Sequence, residues 1–122
     1  MGYHFYWKET TGAIDMAMDV DRDNYESEVL ETQGLVLVDF WGPKCVPCLA
    51  LMPAVERLED KYAGKLKVTK LNSSGNRVLC ARLRVMSLPT YILYQDGIEV
   101  KRLTGEDLTE DDLTEAIEAA LD

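Results

Sequence analysis

The sequence lacks three features, and each absence excludes a class of protein. No apolar run approaches the roughly 20 residues that a membrane-spanning helix needs. Residues 1–15 have neither the basic nor the apolar region of a secretory signal, so we expect a cytoplasmic protein without a membrane partner. Lysine and arginine form no cluster, and 13 basic against 22 acidic side chains give a net charge of −9. This balance argues against nucleic-acid binding and favours a monomer.

Cysteine and histidine are also scarce, with three cysteines and one histidine in 122 residues. The chain has neither an internal repeat nor a linker rich in proline, glycine or serine, and its length suits one hydrophobic core. We therefore predict one domain over residues 16–122, preceded by an N-terminal extension over residues 1–15. Cytosolic thiols are mostly reduced, so a closely spaced cysteine pair there is more often catalytic or metal-binding than structural.

Strand and helix patterns alternate along the predicted domain. The run Leu35–Trp41 is apolar, β-branched and aromatic, which is typical of a strand buried on both faces. Apolar residues at helical spacing follow over residues 46–62, and Pro53 is expected to kink this helix. Further along, Asp96-Gly97 between two short strand patterns indicates a tight hairpin.

The remaining segments complete the order β-α-β-α-β-α-β-β-α. Residues 17–20 form a short candidate strand, and residues 66–71 form another. The helix between residues 21 and 34 has an apolar side, which consists of Tyr25, Val29 and Leu30. The last helix begins at Thr109 with the spacing of a capping box, and its apolar stripe consists of Leu113, Ala116, Ile117, Ala120 and Leu121. The alternation predicts an α/β fold in which helices cover both faces of a central mixed sheet, a parallel βαβ unit plus a C-terminal antiparallel hairpin.

Cys45 and Cys48 lie where the predicted buried strand leads into a helix. Residues at i and i+3 share one helical face, so the two sulfurs reach bonding distance. A helix N-terminus favours an anion and lowers the pKa of a thiol from about 8.5 towards 7 or below. Lys44 adds a positive charge, and Pro47 stiffens the first turn where its missing N–H matters little. These features favour a redox-active dithiol.

Two other interpretations of the pair stay open at this point. A Cys-x-x-Cys is also half of a zinc site, and only Cys80 and His4 are available to complete four ligands. Neither of these belongs to a second closely spaced pair, so we predict no metal. Alternatively, both cysteines are inert residues of the core, where free cysteine is often found.

The segment from Val38 to Cys48 resembles the active-site segment of the thioredoxin family. Pro53 matches the kinking proline of the family's active-site helix, Lys70 the lysine of the next strand, and Ser87-Leu88-Pro89-Thr90 the loop with a cis-proline. Asp96-Gly97 is similar to the late hairpin, and the resemblance spans about residues 17–122. It implies the thioredoxin fold and no cofactor other than a redox-active Cys45–Cys48 disulfide.

The resemblance also implies a role for each catalytic position. Cys45 would attack a substrate disulfide, and Cys48 would resolve the mixed disulfide. Asp39 would be the buried acid that helps to deprotonate Cys48, and a carboxylate in an apolar strand is expected to titrate high. Lys70 either moderates Asp39 electrostatically or is an ordinary surface lysine.

A second set of positions would bind substrate. Pro89 would be cis near the sulfurs, with Leu88 offering backbone groups to an extended substrate. Cys80 is either a regulatory thiol or, more simply, a small core residue. The full predicted substrate-binding set consists of Trp41, Lys44, Val46, Pro47, Leu88 and Pro89.

The resemblance implies a protein-disulfide reductase that acts on disulfide-containing proteins and receives electrons from a donor of the thioredoxin-reductase type. Three positions depart from the usual pattern: Lys44 replaces a tryptophan, Val46 a glycine and Leu49 a lysine. Such a Cys-Val-Pro-Cys box resembles those of some thioredoxins of anaerobic bacteria. One alternative is therefore a dedicated electron donor to one enzyme, such as an amino-acid reductase of an anaerobe. Another is a redox-inactive binding module with this fold.

Overall fold

The computed structural model describes residues 17–122, and the N-terminal extension predicted for residues 1–15 lies outside this range. The described chain follows the predicted order of strands and helices. The strands are β1 (Met18–Val20), β2 (Leu35–Trp41), β3 (Leu66–Asn72), β4 (Thr90–Gln95) and β5 (Ile98–Thr104). The helical segments are α1 (Glu26–Leu30), α2 (Val46–Lys61), α3 (Arg77–Arg82) and α4 (Glu110–Leu121).

The five strands form one mixed sheet in the order β1-β3-β2-β4-β5. The strands β1, β3 and β2 are parallel, whereas β4 runs antiparallel to β2, and β5 runs antiparallel to β4. Because β2 lies at the centre, all its residues except the last are buried. The predicted sheet, with a parallel unit and a C-terminal antiparallel hairpin, is confirmed.

Two apolar cores cover the two faces of the sheet. On one face, Val55 of α2 and Ile117 of α4 are buried in the same cluster as Leu37 of β2. On the other face, Val29 of α1 is buried in the same cluster as Val38. Neighbouring residues of β2 therefore serve opposite cores, as the two-residue period of a strand requires. Helices cover both faces, as predicted.

The apolar faces of two helices differ in detail from the prediction. The segment α1 is π-helical, and although Tyr25 and Val29 are buried, Leu30 is 37% exposed. In α4, Leu121 is likewise 36% exposed and Ala120 is half-buried, although Leu113, Ala116 and Ile117 are buried. Leu30 and Leu121 are the last residues of their helices, where no following turn covers the side chain.

The hairpin between β4 and β5 is anchored on the loop before β2. Asp96 and Gly97 have positive φ angles of 53° and 83°, the backbone geometry of a tight hairpin turn. The Gly34 N–H donates to Asp96 Oδ1 at 2.7 Å, and the Asp96 N–H donates to the Gly34 carbonyl at 2.9 Å. A Cβ added to Gly97 would overlap the carbonyl oxygen of Leu30. The turn therefore requires glycine for two independent reasons.

The two long helices begin as their sequences predict. Cys45 is the N-cap of α2, which contains Pro53. At α4, the Asp112 N–H donates to Thr109 Oγ1 at 3.2 Å, and the Thr109 N–H donates to Asp112 Oδ2 at 2.9 Å. This capping box satisfies backbone groups that the first turn leaves unpaired. Across residues 17–122, no helix is long and apolar enough to span a membrane.

Candidate active site

The two cysteines of the Cys-x-x-Cys segment meet at the N-terminus of α2. Cys45 is the N-cap residue, Cys48 lies in the first turn, and a disulfide joins them with their Cα atoms 5.3 Å apart. The Cys48 N–H donates to Cys45 Sγ at 3.2 Å. The first turn of α2 carries no acidic residue. Cys45 Sγ therefore occupies the position where the unpaired N–H groups and the helix dipole stabilise a negative charge.

The two sulfurs differ in their access to solvent. Cys48 is fully buried, whereas Cys45 is half-buried. In thiol–disulfide exchange the attacking sulfur must reach the disulfide of the partner. Cys45 therefore meets the access requirement, whereas the buried Cys48 does not. The neighbouring Lys44 is exposed and adds positive charge beside the accessible sulfur.

Asp39 is a fully buried carboxylic acid in the centre of the sheet. Within residues 17–122, neither of its carboxyl oxygens has a hydrogen-bond partner. Burial raises the pKa of Asp39 to about 7, against a smaller opposing effect of the Lys70 charge. A group with this pKa exchanges protons readily at neutral pH, which is the property that a general base or acid needs.

Lys70 lies directly beside Asp39 in the parallel register of β3 and β2. Both residues line a small cavity that α2 closes with Met52 and Glu59, among others. Met52 stands four residues after Cys48, so it shares a helical face with that cysteine. The structure therefore brings Asp39 and Lys70 together next to the active-site helix. Lys70 is half-buried at this cavity, and its charge opposes the rise in the pKa of Asp39.

Sequence reasoning missed two residues near Asp39. Tyr91 of β4 lies opposite Asp39 in the antiparallel register and is buried, and burial together with the Asp39 charge raises the pKa of its hydroxyl. Glu59 brings a second carboxylate into the cavity of Asp39 and Lys70. The sequence could have indicated Glu59, because Glu59 lies four residues after the core residue Val55 and so shares a face of α2 with it. No local pattern points to Tyr91, whose place depends on strand register.

The loop before β4 has the predicted cis peptide bond between Leu88 and Pro89. Pro89 is buried, and its carbonyl accepts hydrogen bonds from the Gly105 N–H at 3.1 Å and from Thr104 Oγ1 at 3.2 Å. The Thr90 hydroxyl donates to the Ser87 carbonyl at 2.7 Å. These bonds hold the loop against the end of β5.

Two grooves meet at Cys45. The larger, of about 670 Å³, runs towards α3, and its lining includes Lys44, Arg77, Cys80 and Leu88. The other, of about 620 Å³, is lined by Lys44, Cys45, Val46, Pro47, Ser87, Leu88, Gly105 and Glu106. Four of the six predicted substrate-binding residues therefore line a groove at the accessible sulfur.

The other two predicted binding residues, Trp41 and Pro89, line neither groove. Trp41 is half-buried at the end of β2, and its Nε1 is buried without a hydrogen-bond partner among the residues that the structure describes. Pro89 is buried, and its carbonyl is bonded to Thr104 and Gly105 at the end of β5.

The candidate zinc ligands within residues 17–122 do not form a metal-binding group. Cys45 and Cys48 are bonded to each other, and Cys80 is buried, with a raised pKa caused by that burial. His4, the other candidate ligand, lies outside the described residues. In residues 17–122, no group of three or more histidine, cysteine, aspartate or glutamate side chains is placed to hold a metal ion.

Comparison with known proteins agrees with this geometry. The sequence profile of the thioredoxin family matches residues 16–119. The chain belongs to the thioredoxin family. The thioredoxin of Peptoclostridium acidaminophilum is 42% identical over 98 residues, which cover 80% of this chain and 89% of the relative. The thioredoxin of Acetoanaerobium sticklandii is 43% identical over 91 residues, covering 75% and 87%.

A solved structure supports the same assignment to the thioredoxin fold. A mutant thioredoxin from Halobacterium salinarum superposes with a TM-score of 0.78 at 30% identity, over 88% of this chain and 93% of that one. With its Cys45–Cys48 pair, this thioredoxin-family chain is a thiol–disulfide oxidoreductase of the protein-disulfide reductase type. The relatives favour neither the dedicated electron donor nor the redox-inactive module.

Proposed function

We propose that Cys45 is the attacking sulfur and Cys48 the resolving sulfur. In the reduced protein, the Cys45 thiolate attacks one sulfur of a substrate disulfide, forms a mixed disulfide and releases the first substrate thiolate. Cys48 then loses its proton and attacks Cys45 Sγ. This step closes the Cys45–Cys48 disulfide and releases the second substrate thiolate. Two electrons pass to the substrate, and a donor dithiol restores the reduced pair. The access of Cys45 carries this proposal.

Asp39 is the proton acceptor for Cys48 in this proposal, and Lys70 limits how far burial raises the proton affinity of Asp39. The buried carboxyl of Asp39 beside α2 has no hydrogen-bond partner among residues 17–122. This supports the role, because a carboxyl with a pKa of about 7 gains or loses a proton at little cost near neutral pH. The Asp39→Asn variant, which cannot accept the proton, is expected to resolve the mixed disulfide about a hundredfold more slowly at pH 7.

The six predicted substrate-binding residues form two groups: four contact the substrate, and two support the backbone around the site. Lys44, Val46, Pro47 and Leu88 line the grooves and contact the substrate chain, and Val46 is 74% exposed. Trp41 and Pro89 hold the surrounding backbone instead. The substrates are proteins with accessible disulfides, the donor is a reductase of the thioredoxin-reductase type, and the protein acts in the cytoplasm without a resident cofactor.

Reduction of insulin by dithiothreitol tests the proposal. We expect the protein to accelerate insulin precipitation in catalytic amounts, and the Cys48→Ser variant to accumulate a mixed disulfide with insulin through Cys45. Mass spectrometry identifies the sulfur in that adduct. An adduct on Cys80, or a rate equal to that of dithiothreitol alone, would refute the assignment.

A further inference from the structure

The charged residues are strongly segregated along the chain. Residues 61–95 contain none of the 22 acidic residues but hold seven of the 13 lysines and arginines: Lys61, Lys65, Lys67, Lys70, Arg77, Arg82 and Arg84. Residues 40–55, which include the active-site turn, also contain no acidic residue. Every described residue that lines the larger groove at Cys45 belongs to one of these two stretches.

The larger groove therefore has a charge opposite to that of the whole molecule. Lys44 on one side of it and Arg77 on the other are exposed, and no acidic side chain of residues 17–122 lines it. The ion pairs within residues 17–122 use Arg57, Lys67 and Arg102, so neither groove cation is neutralised by a described carboxylate. Two unpaired cations in a concave surface attract an anionic group more strongly than isolated surface charges do.

The groove also offers apolar surface next to the charges. Val85 and Leu88 contribute to its lining, and Met86, which is 83% exposed, stands at its edge. Apolar and aromatic residues, with methionine among them, are enriched where proteins bind other proteins. Phosphate-binding surfaces, in contrast, depend on many clustered cations. This mixture fits a polypeptide with acidic side chains better than a nucleic acid.

We propose that the groove between Cys45 and α3 binds an acidic segment of the partner protein next to the partner's disulfide. This inference rests on the proposed role of Cys45 as the attacking sulfur. The partner's acidic side chains contact Lys44 and Arg77 while its disulfide faces Cys45. The second groove carries Glu106, which repels the same acidic segment and thereby sets the direction in which the partner chain lies.

Three synthetic peptides test this inference. Each contains the same small intramolecular disulfide, flanked on one side by three glutamates, three lysines or three serines. Each peptide is mixed with the reduced protein in a stopped-flow instrument. The second-order rate constant for oxidation of the protein is measured at low salt and in 0.5 M NaCl. We expect the acidic peptide to react roughly tenfold faster than the basic one at low salt, and the ratio to approach one at high salt.

The Arg77→Glu variant is expected to lower the ratio of acidic to basic rates about fivefold or more. The ratio cancels any change in thiol reactivity that the substitution causes. The matched control is Lys65→Glu, which changes the net charge equally at an exposed position outside both grooves. We expect the control to lower the ratio by less than twofold.

The possible results distinguish a failure of this inference from a failure of the proposed function. If none of the three peptides oxidises the reduced protein, the proposed function fails. If the serine peptide reacts but the acidic and basic peptides react equally, or both variants change the ratio equally, only the acidic-partner inference is overturned. Competition by a single-stranded oligonucleotide at low micromolar concentration would overturn it in favour of a nucleic-acid partner.

Discussion

The polar side chains at the two ends of the central strands differ in their burial and hydrogen bonding. At the turn end, the Asp96 carboxylate is exposed, and one of its oxygens accepts a hydrogen bond from the Gly34 N–H at 2.7 Å. At the site end, the Asp39 carboxyl is buried, and no described residue hydrogen-bonds either of its oxygens. Among the residues that the structure describes, the Asp96 carboxylate therefore has a hydrogen-bond partner and the Asp39 carboxyl has none.

The unsatisfied groups near the site end belong to three side chains. Besides the Asp39 carboxyl, they are Trp41 Nε1 and the Tyr91 hydroxyl, all buried without a partner among residues 17–122. An unpaired buried polar group costs about 1–3 kcal/mol, so a stability-driven sequence would avoid such a concentration. The comparison indicates that the polar groups at the turn end stabilise the fold, whereas those at the site end lower the free energy of unfolding.

The largest effect is expected at the accessible sulfur. Replacing Cys45 with serine removes the nucleophile, so turnover of a disulfide peptide is expected to fall by at least about a thousandfold. Ala50→Ser, at an exposed position of the same helix, serves as the control and is expected to keep wild-type turnover. A Cys45→Ser protein with substantial activity would place the reactive sulfur elsewhere.

Asp39→Asn is expected to stabilise the protein at pH 8 by up to about 4 kcal/mol. Folding raises the pKa of Asp39 from 3.8 to about 7. Between these values the folded state binds more protons than the unfolded state, so the free energy of unfolding falls as pH rises through this window. The free energy of unfolding of the Asp39→Asn variant does not fall in this way. The difference in stability between the variant and the wild type is therefore expected to vanish near pH 4.

Urea unfolding from pH 4 to pH 8 measures this difference. Asp107→Asn, which changes an exposed carboxylate, is the control and is expected to follow the wild-type pH dependence within about 0.5 kcal/mol. A constant difference between Asp39→Asn and the wild type across the range would show that charge burial is not its cause.

At the turn end, Gly97→Ala is expected to destabilise the protein by about 3 kcal/mol without changing its reactivity per folded molecule. The new Cβ meets the Leu30 carbonyl, and the residue has a positive φ. Gly64→Ala separates the clash from the backbone strain, because Gly64 has a φ of +86° but no atom of the described residues lies within 4 Å of the added Cβ. The control is expected to cost only about 1 kcal/mol in thermal or urea unfolding.

The smallest effect is expected for Asp96→Ala, with a loss of about 1–2 kcal/mol in the free energy of unfolding. The substitution removes the acceptor for the Gly34 N–H and places alanine at a φ of 53°. Asp96→Asn keeps an acceptor oxygen and tolerates this φ, so it should remain within about 0.5 kcal/mol of wild type. Equal losses in the two variants would mean that the hydrogen bond is not what anchors the turn.

Much of the fold could be predicted because its signals are local. The capping box needs only Thr109 and Asp112, three residues apart, and the hairpin turn needs only Asp96 and Gly97. The exposed ends of the helices were predicted less well. Leu30 and Leu121 continue an apolar pattern, but the pattern contains no information on whether a neighbouring element covers the final turn.

The amino-acid sequence by itself determined the order of elements, the cysteine pair at a helix N-terminus and the acid in the central strand, because each depends on residues a few positions apart. The tertiary structure alone decided that Cys45 is accessible while Cys48 is buried, and that Tyr91 and Lys70 flank Asp39. It also placed Arg77 across a groove from Lys44. These contacts join residues about 30 to 50 positions apart, and strand register and helix packing set them rather than any local pattern.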